Sequence, residues 1–286
     1  MGVLSVFASG AASAADASTR RDEAEEIVHL LEYVGADYGG AVSGGEVKNA
    51  GELEEQLEVL AEAGRVAARL ATSPSRHGFD PRVGVDRIRA LVAAHRSESE
   101  VTAAVKLARS EFAAFYDLTE APRQPPSRKH GGELYQQHCA TCHGEQGRAD
   151  TARAAEYTPH PANFHEPAIA GALSPLRVFT TVRYGVPKTS MVPFDFLSDA
   201  DRWDLAFYVS GFDHAATSPV EQVRMFDLGE LAAESDDELR DGLRRAGVAE
   251  SNLEAALSDL RVRAPYDPAI VSPKGAALHV LRARAA

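Results

Sequence analysis

Only two cysteines occur in the 286 residues, three positions apart and followed at once by a histidine: Cys139-Ala140-Thr141-Cys142-His143. Two thiols cannot build a disulfide framework, so the fold must come from an apolar core. Three residues make roughly one helical turn, which sets both thiols on one face. Other uses of such a pair need partners. A zinc site would need further cysteines or a matched histidine pair, and no third cysteine exists. A thioredoxin-like redox pair would need a βαβ setting, whereas the flanking sequence carries helical spacing.

What remains is the C-x-x-C-H sequence of a c-type haem attachment site. Each thiol can add to one vinyl group, and the next residue brings an imidazole beneath the iron. The motif thus predicts one covalently attached haem c, with thioethers at Cys139 and Cys142 and with His143 as an axial ligand.

The rest of the chain reads as helix. From Asp22 to Val34, the residues Ala24, Ile27, Val28, Leu31 and Val34 recur at helical spacing, and a break is expected at Gly35 to Gly45. Leu53, Leu57, Leu60, Gly64 and Ala67 mark a long amphipathic helix, with Gly64 suited to a close helix approach. Asp80-Pro81 is an N-cap followed by proline at the first helical position, and Ser97 with Glu100 fits a capping box. Residues 21–118 are therefore expected to form a helical bundle domain. Thr119 to Lys129 (TEAPRQPPSRK) reads as a proline-rich linker over residues 119–129. A second domain is expected at 130–218 and a helical C-terminal segment at 219–286. Within that segment Ser235 and Ser251 are candidate caps, and Ser272-Pro273 opens a last helix. Ala12-Ser13-Ala14 after the apolar Val3 to Phe7 gives residues 1–20 the look of a signal-peptide tail or a disordered terminus. No basic residue precedes Arg20.

Acidic residues number 42 against 30 basic, a net charge of −12. Nucleic acid is excluded as a partner, since no basic surplus exists to displace counterions.

Residues 130–212 resemble class I cytochromes c. Gly131 and Tyr135 lie eight and four residues before Cys139, as in that family's N-terminal helix. Leu205, Ala206, Tyr208 and Val209 in DRWDLAFYVSGF resemble its C-terminal helix. Of the three methionines, Met1, Met191 and Met225, only Met191 sits in a stretch, RYGVPKTSMVPF, that looks like the family's R-x-G-x(5)-M-x-x-F loop. The resemblance therefore implies His143 and Met191 as the two iron ligands, with His160, His165 and His214 as competitors for the second position. It also implies that Pro161 (or Pro159) lies where a carbonyl receives the N–H of the ligating imidazole, and that Phe164 walls the haem. Arg183, Tyr184 and Trp203 are candidates to reach or line the propionate side. The fold implied is all-α: a helical bundle, a class I cytochrome c domain and a helical C-terminal segment.

The order of parts, EEIVHLLEYVGADYGGAV, then CxxCH, then GFDH and a Ser-Asp-rich segment, resembles the soluble extracytoplasmic portion of bacterial cytochrome c/iron permease fusion proteins. That implies a periplasmic one-electron carrier associated with iron uptake. Its partners would be a redox protein or ferrous iron, and a membrane iron permease. The permease motif R-E-x-x-E is absent from the chain. Two alternatives stand beside this: a general respiratory electron carrier or oxidoreductase subunit, and a haem- or iron-binding interaction module. Glu26 and His29 form one E-x-x-H, and Glu54, Glu58 and Glu62 share a helix stripe. A di-iron bundle needs a second E-x-x-H, so a solvated acidic face is the expected reading.

Overall fold

The computed structural model describes residues 7–72, 78–118, 120–215 and 226–267, with side chains from residue 16 onward. Met225 and the helix expected from Ser272-Pro273 lie outside the described residues. Among the described residues the regular structure comprises twelve α-helices and one two-stranded hairpin, an all-α architecture apart from that hairpin and three short 3-10 turns. No described helix is long and apolar enough to cross a membrane. The chain divides into two compact units, 1–119 and 120–286.

In the first unit α1 (Phe7–Ala41) and α2 (Ala50–Thr72) are joined by the hairpin β1 (Val42–Ser43) and β2 (Glu46–Val47). Helices α3 (Pro81–Ala93) and α4 (Glu98–Tyr116) complete the bundle: α1 packs on α2 and α4, and α3 packs on α2 and α4. Ile27, Leu31, Leu60, Ile88 and Phe112 are fully buried in its core. The Asp80 side chain accepts the Arg82 N–H ahead of Pro81, and Ser97 with Glu100 forms the expected capping box.

Three local expectations are corrected here. Helix α1 does not break at Gly35; it continues to Ala41. A Cβ at Gly35 would sit 3.2 Å from Cγ2 of Val105, and one at Gly39 would sit 2.7 Å from the Glu98 carboxylate. The close approach expected at Gly64 occurs instead at these glycines, for nothing lies within 4 Å of a Cβ at Gly64. The same helix reaches back to Phe7, so residues 7–20 are helical rather than irregular.

The second unit holds α5 (Arg128–His138), α6 (Ala140–His143), α7 (Pro167–Ala172), α8 (Pro175–Tyr184) and α9 (Asp199–Val209). It continues with α10 (Leu228–Ala233), α11 (Asp236–Arg245) and α12 (Leu253–Val262). Helix α5 crosses α9 closely at Gly131, where a Cβ would lie 2.1 Å from the Asp204 carbonyl oxygen. Only glycine fits that crossing. The start of α5 is tied to the same helix. Asp204 accepts the Ser127 N–H at 2.7 Å and contacts His130 Nδ1 at 2.9 Å.

One apolar core runs from Leu134, Phe179 and Leu205 to Leu239, Leu257 and Ala264, so the C-terminal helices share the core of α5, α8 and α9. Arg261, 1% exposed, anchors them. Its guanidinium donates to Asp236 Oδ1 (2.6 Å) and to the carbonyls of Leu231 (2.9 Å) and Glu234 (2.6 Å). The second oxygen of Asp236 lies 2.6 Å from His214 Nε2. Ser235 caps α11 as expected. Ser251 does not cap α12; it lies in the 3-10 turn Glu250–Asn252, and Asn252 takes the cap position.

Candidate functional site

The Cys139–His143 segment is a single helical turn inserted after α5. Cys139 closes α5 with its N–H on the Tyr135 carbonyl (2.8 Å), and its own carbonyl accepts the N–H groups of Cys142 (3.1 Å) and His143 (2.9 Å). Gly144, at φ +79°, ends the turn, and Tyr135, fully buried, donates its hydroxyl to the Gly144 carbonyl at 2.7 Å. Both thiols are free and half-buried. Burial pushes the Cys139 thiol up to about 12, and the neighbouring Cys142 adds to this.

His143 is held on two sides. Its Nδ1 lies 3.0 Å from the carbonyl oxygen of Ala162. A carbonyl only accepts, so Nδ1 carries the hydrogen and Nε2 keeps its lone pair for a ligand. The acceptor is thus Ala162, one residue past Pro161. The Phe164 ring stacks on the imidazole at 4.9 Å and 16°. Burial lowers the His143 pKa, and the Ala162 hydrogen bond partly offsets it. An imidazole with one nitrogen on a carbonyl and the other open is the arrangement of a metal-bound histidine.

Met191 lies in the loop between α8 and α9. Gly185, at φ +74° and ψ −167°, turns the chain out of α8. The Met191 carbonyl accepts the Val186 N–H (2.9 Å), and its N–H donates to Thr189 Oγ1 (3.1 Å). Phe194 N–H bonds the Val182 carbonyl at 2.9 Å, and Arg202 donates to the carbonyls of Phe194 (3.2 Å) and Asp195 (3.0 Å). The loop is therefore fixed at both ends, with Met191 half-buried. It approaches the thiol segment through His138, whose ring lies 6.2 Å from Phe194 and 5.3 Å from Phe196.

The competing histidines differ in what they offer. Both nitrogens of His165 are engaged, with Gln146 O at 2.7 Å and Asp213 Oδ1 at 3.1 Å. Both nitrogens of His214 are engaged too, by Asp236 and by Ser258 Oγ at 3.4 Å. His160 is exposed, with Nδ1 turned to the Pro161 carbonyl at 3.1 Å.

Arg183, Tyr184 and Trp203 belong to the α8–α9 contact. Trp203 stacks on Phe179 at 4.3 Å, Arg183 lies over the Tyr184 ring at 5.4 Å, and Arg183 Nη1 is 3.8 Å from Asp199. The Trp203 indole N–H is buried with no hydrogen-bond partner in the protein. A buried donor left unpaired costs about 1–3 kcal/mol. A haem carries hydrogen-bond acceptors on its propionates, so the chemistry of this donor fits that group, as does that of the two thiols and of His143 with its Nδ1 on a carbonyl.

In the bundle, Glu26 is shifted upward by burial, and His29 is buried. Among the described residues no three His, Cys, Asp or Glu side chains converge to hold a metal ion.

The model of one protein family, cytochrome c oxidase, cbb3-type, subunit III, matches residues 126–209. That span contains α5 to α9, the CxxCH turn and the Met191 loop. Residues 126–209 are accordingly a cytochrome c domain, a haem-binding unit of the electron-transfer kind. No curated protein and no solved structure matches the chain.

Proposed function

We propose that this chain is an extracytoplasmic one-electron carrier with a single covalently bound haem c, held by Cys139 and Cys142 and ligated by His143 and Met191. The observation that carries the reading is the His143 side chain, its Nδ1 on the Ala162 carbonyl and its ring against Phe164. The haem supplies reversible one-electron exchange at its iron, and a thioether ligand favours the ferrous state.

The protein's part is to hold and to shield. Cys139 and Cys142 fix the group on one turn of helix. The Ala162 carbonyl holds the Nδ1–H and with it the direction of the His143 ring, which would leave Nε2 to hold the iron. The Gly185–Phe194 loop would offer the Met191 thioether as the second ligand, a donor that favours ferrous iron. The unpartnered Trp203 indole N–H would donate to a propionate. Phe164 and Tyr135 keep water from the ligand side.

Two measurements test this. Acid–acetone extraction leaves the haem on the chain if both thioethers exist; haem in the organic phase refutes covalent attachment. Ferric protein shows the weak far-red sulphur-to-iron band, and Met191→Ala abolishes it. A band that survives the substitution refutes Met191. The association with iron uptake, and with an iron permease as partner, is supported by the order of segments alone. Its test is whether Fe(II) reduces the ferric haem of the intact chain. If Fe(II) fails while small-molecule donors succeed, a general electron carrier replaces that reading.

A further inference from the structure

Phe196 and Val192 are 64% and 60% exposed, the two highest values among the large apolar side chains on the surface of the described residues. Scattered apolar side chains on a surface are ordinary. These two lie four residues apart on the loop that carries Met191, with Pro193, also exposed, between them. The Phe196 ring lies 5.8 Å from that of Phe194 and 5.3 Å from that of His138, the residue before Cys139. The patch therefore joins the Met191 loop to the CxxCH turn.

The backbone beneath it is fixed. Phe194 N–H donates to the Val182 carbonyl (2.9 Å), Leu197 N–H donates to the Phe194 carbonyl (3.2 Å), and Arg202 holds the carbonyls of Phe194 and Asp195. A surface held in place before binding gives up little freedom on binding. It is also without net charge. Residues 134–144 contain no Asp, Glu, Lys or Arg, and residues 185–197 contain one charge of each sign, Lys188 and Asp195, in a chain of net −12. The next carboxylate along the chain, Asp199, is paired with Arg202 at 2.7 Å. Size then decides the class of partner. An aromatic side chain buries about 150–250 Å², so these few side chains fall far short of the ~800 Å² per partner that a stable complex buries. A contact of this size belongs to the transient class, which includes electron-transfer encounters.

We propose that Val192, Pro193 and Phe196, beside His138, form the docking surface for a transient electron-transfer partner whose own contact face is apolar and without net charge. The proposal rests on the haem reading given above and names the kind of partner that reading needs. One electron passes between the partner's metal centre and the haem iron, so that one is oxidised as the other is reduced, and no bond or proton is exchanged. Apolar contact governs the encounter, and charge steering does not, so the rate is nearly independent of salt.

The experiment uses the intact haem-loaded chain and two protein probes. One is azurin, a blue-copper protein with an apolar face over its metal; the other is mitochondrial cytochrome c, whose haem edge is ringed by lysines. Stopped-flow absorbance follows electron exchange with each. The expected exchange rate with azurin changes by less than about twofold between about 0.05 and 0.5 M salt. Phe196→Ser and Val192→Ser each slow it by about five- to tenfold, the effect of truncating an anchor of an interface. Both leave the haem potential and exchange with hexaammineruthenium unchanged, and Leu107→Ser, at a comparably exposed site in the bundle, changes nothing. Unchanged azurin rates in both loop variants overturn the proposal. So does a faster, salt-sensitive exchange with cytochrome c that Phe196→Ser leaves untouched, which places docking on an acidic face. A shift of the haem potential in Phe196→Ser overturns it too, because the ring then lines the haem. A dimer in sedimentation that Phe196→Ser abolishes overturns it by making a second copy the occupant. Zinc-substituted azurin, which exchanges no electrons, reads contact alone: amide shifts centred on His138 and residues 191–197 support the surface, and shifts elsewhere overturn it. That titration also decides for a chain that binds no haem, a result that overturns the reading of the site and not the surface.

Discussion

Gly185→Ala isolates the turn that presents Met191. The native backbone at Gly185 has φ +74° and ψ −167°. That region is open essentially to glycine alone, and holding another residue there costs about 1–3 kcal/mol. The added methyl would also stand 2.5 Å from the Met191 carbonyl oxygen and 3.0 Å from Pro193 N and the Val192 carbonyl carbon. All three are backbone atoms, so no side-chain rotation relieves the contact. The Met191 carbonyl is the acceptor for Val186 N–H, and moving it away gives up a hydrogen bond worth about 0.5–1.5 kcal/mol net. Together the two terms come to about 2–4 kcal/mol, localised on the loop. On the proposed ligation by Met191, urea unfolding of the ferric protein should therefore lose the far-red sulphur-to-iron band well before helicity at 222 nm, and even buffer alone should weaken it. An alanine variant that keeps the band and unfolds within about 0.5 kcal/mol of wild type, the scatter of ordinary surface changes, refutes the claim that this turn positions the methionine.

Two further outcomes are expected. Gly64→Ala, in the middle of α2 with open space around its Cβ, should stabilise the first unit by about 0.5–1 kcal/mol through helix propensity; calorimetry showing a loss would mean that α2 is not a regular helix there. The Glu100 carboxyl is held down to about 2 by hydrogen bonds from Arg96 and then from Ser97. Because the folded value is depressed, its contribution is complete above the ordinary value of 4.5 and is lost as pH falls toward 2. Acid unfolding of the bundle should accordingly be less steep over that window in Glu100→Gln, and an unchanged slope would refute the sign.

What could be read from the residues was local chemistry. Asp80-Pro81 and Ser97 with Glu100 announce helix starts because a short polar side chain satisfies a nearby N–H, and the CxxCH turn needs only five consecutive positions. The misplaced break at Gly35 has a different origin. Helix propensity penalises glycine, but here Val105 and Glu98 of α4 fill the space a side chain would take, and packing outweighs propensity. The His143 acceptor was off by one residue because it is a main-chain carbonyl, and Ala162 has no side-chain signature to mark it. Arg261 looks like a surface residue in RVRAPY. Its burial becomes visible only when Asp236, 25 positions earlier, and three carbonyls come to meet it.

That buried arginine also sets a timetable. A ribosome releases the chain from its N-terminus, and domains close as units when their last core residue is available. The bundle has every residue it needs once position 118 has emerged. The second unit does not, for Leu134 and Tyr135 share a core with Leu257, Leu260 and Ala264, and Asp236 waits for Arg261 to neutralise it. For more than a hundred residues of synthesis the Cys139–His143 turn belongs to an unfinished domain. The span matched by the cytochrome family ends at 209, but the body that folds around it ends some fifty residues later, and a chain cut between the two points would be left with an open core.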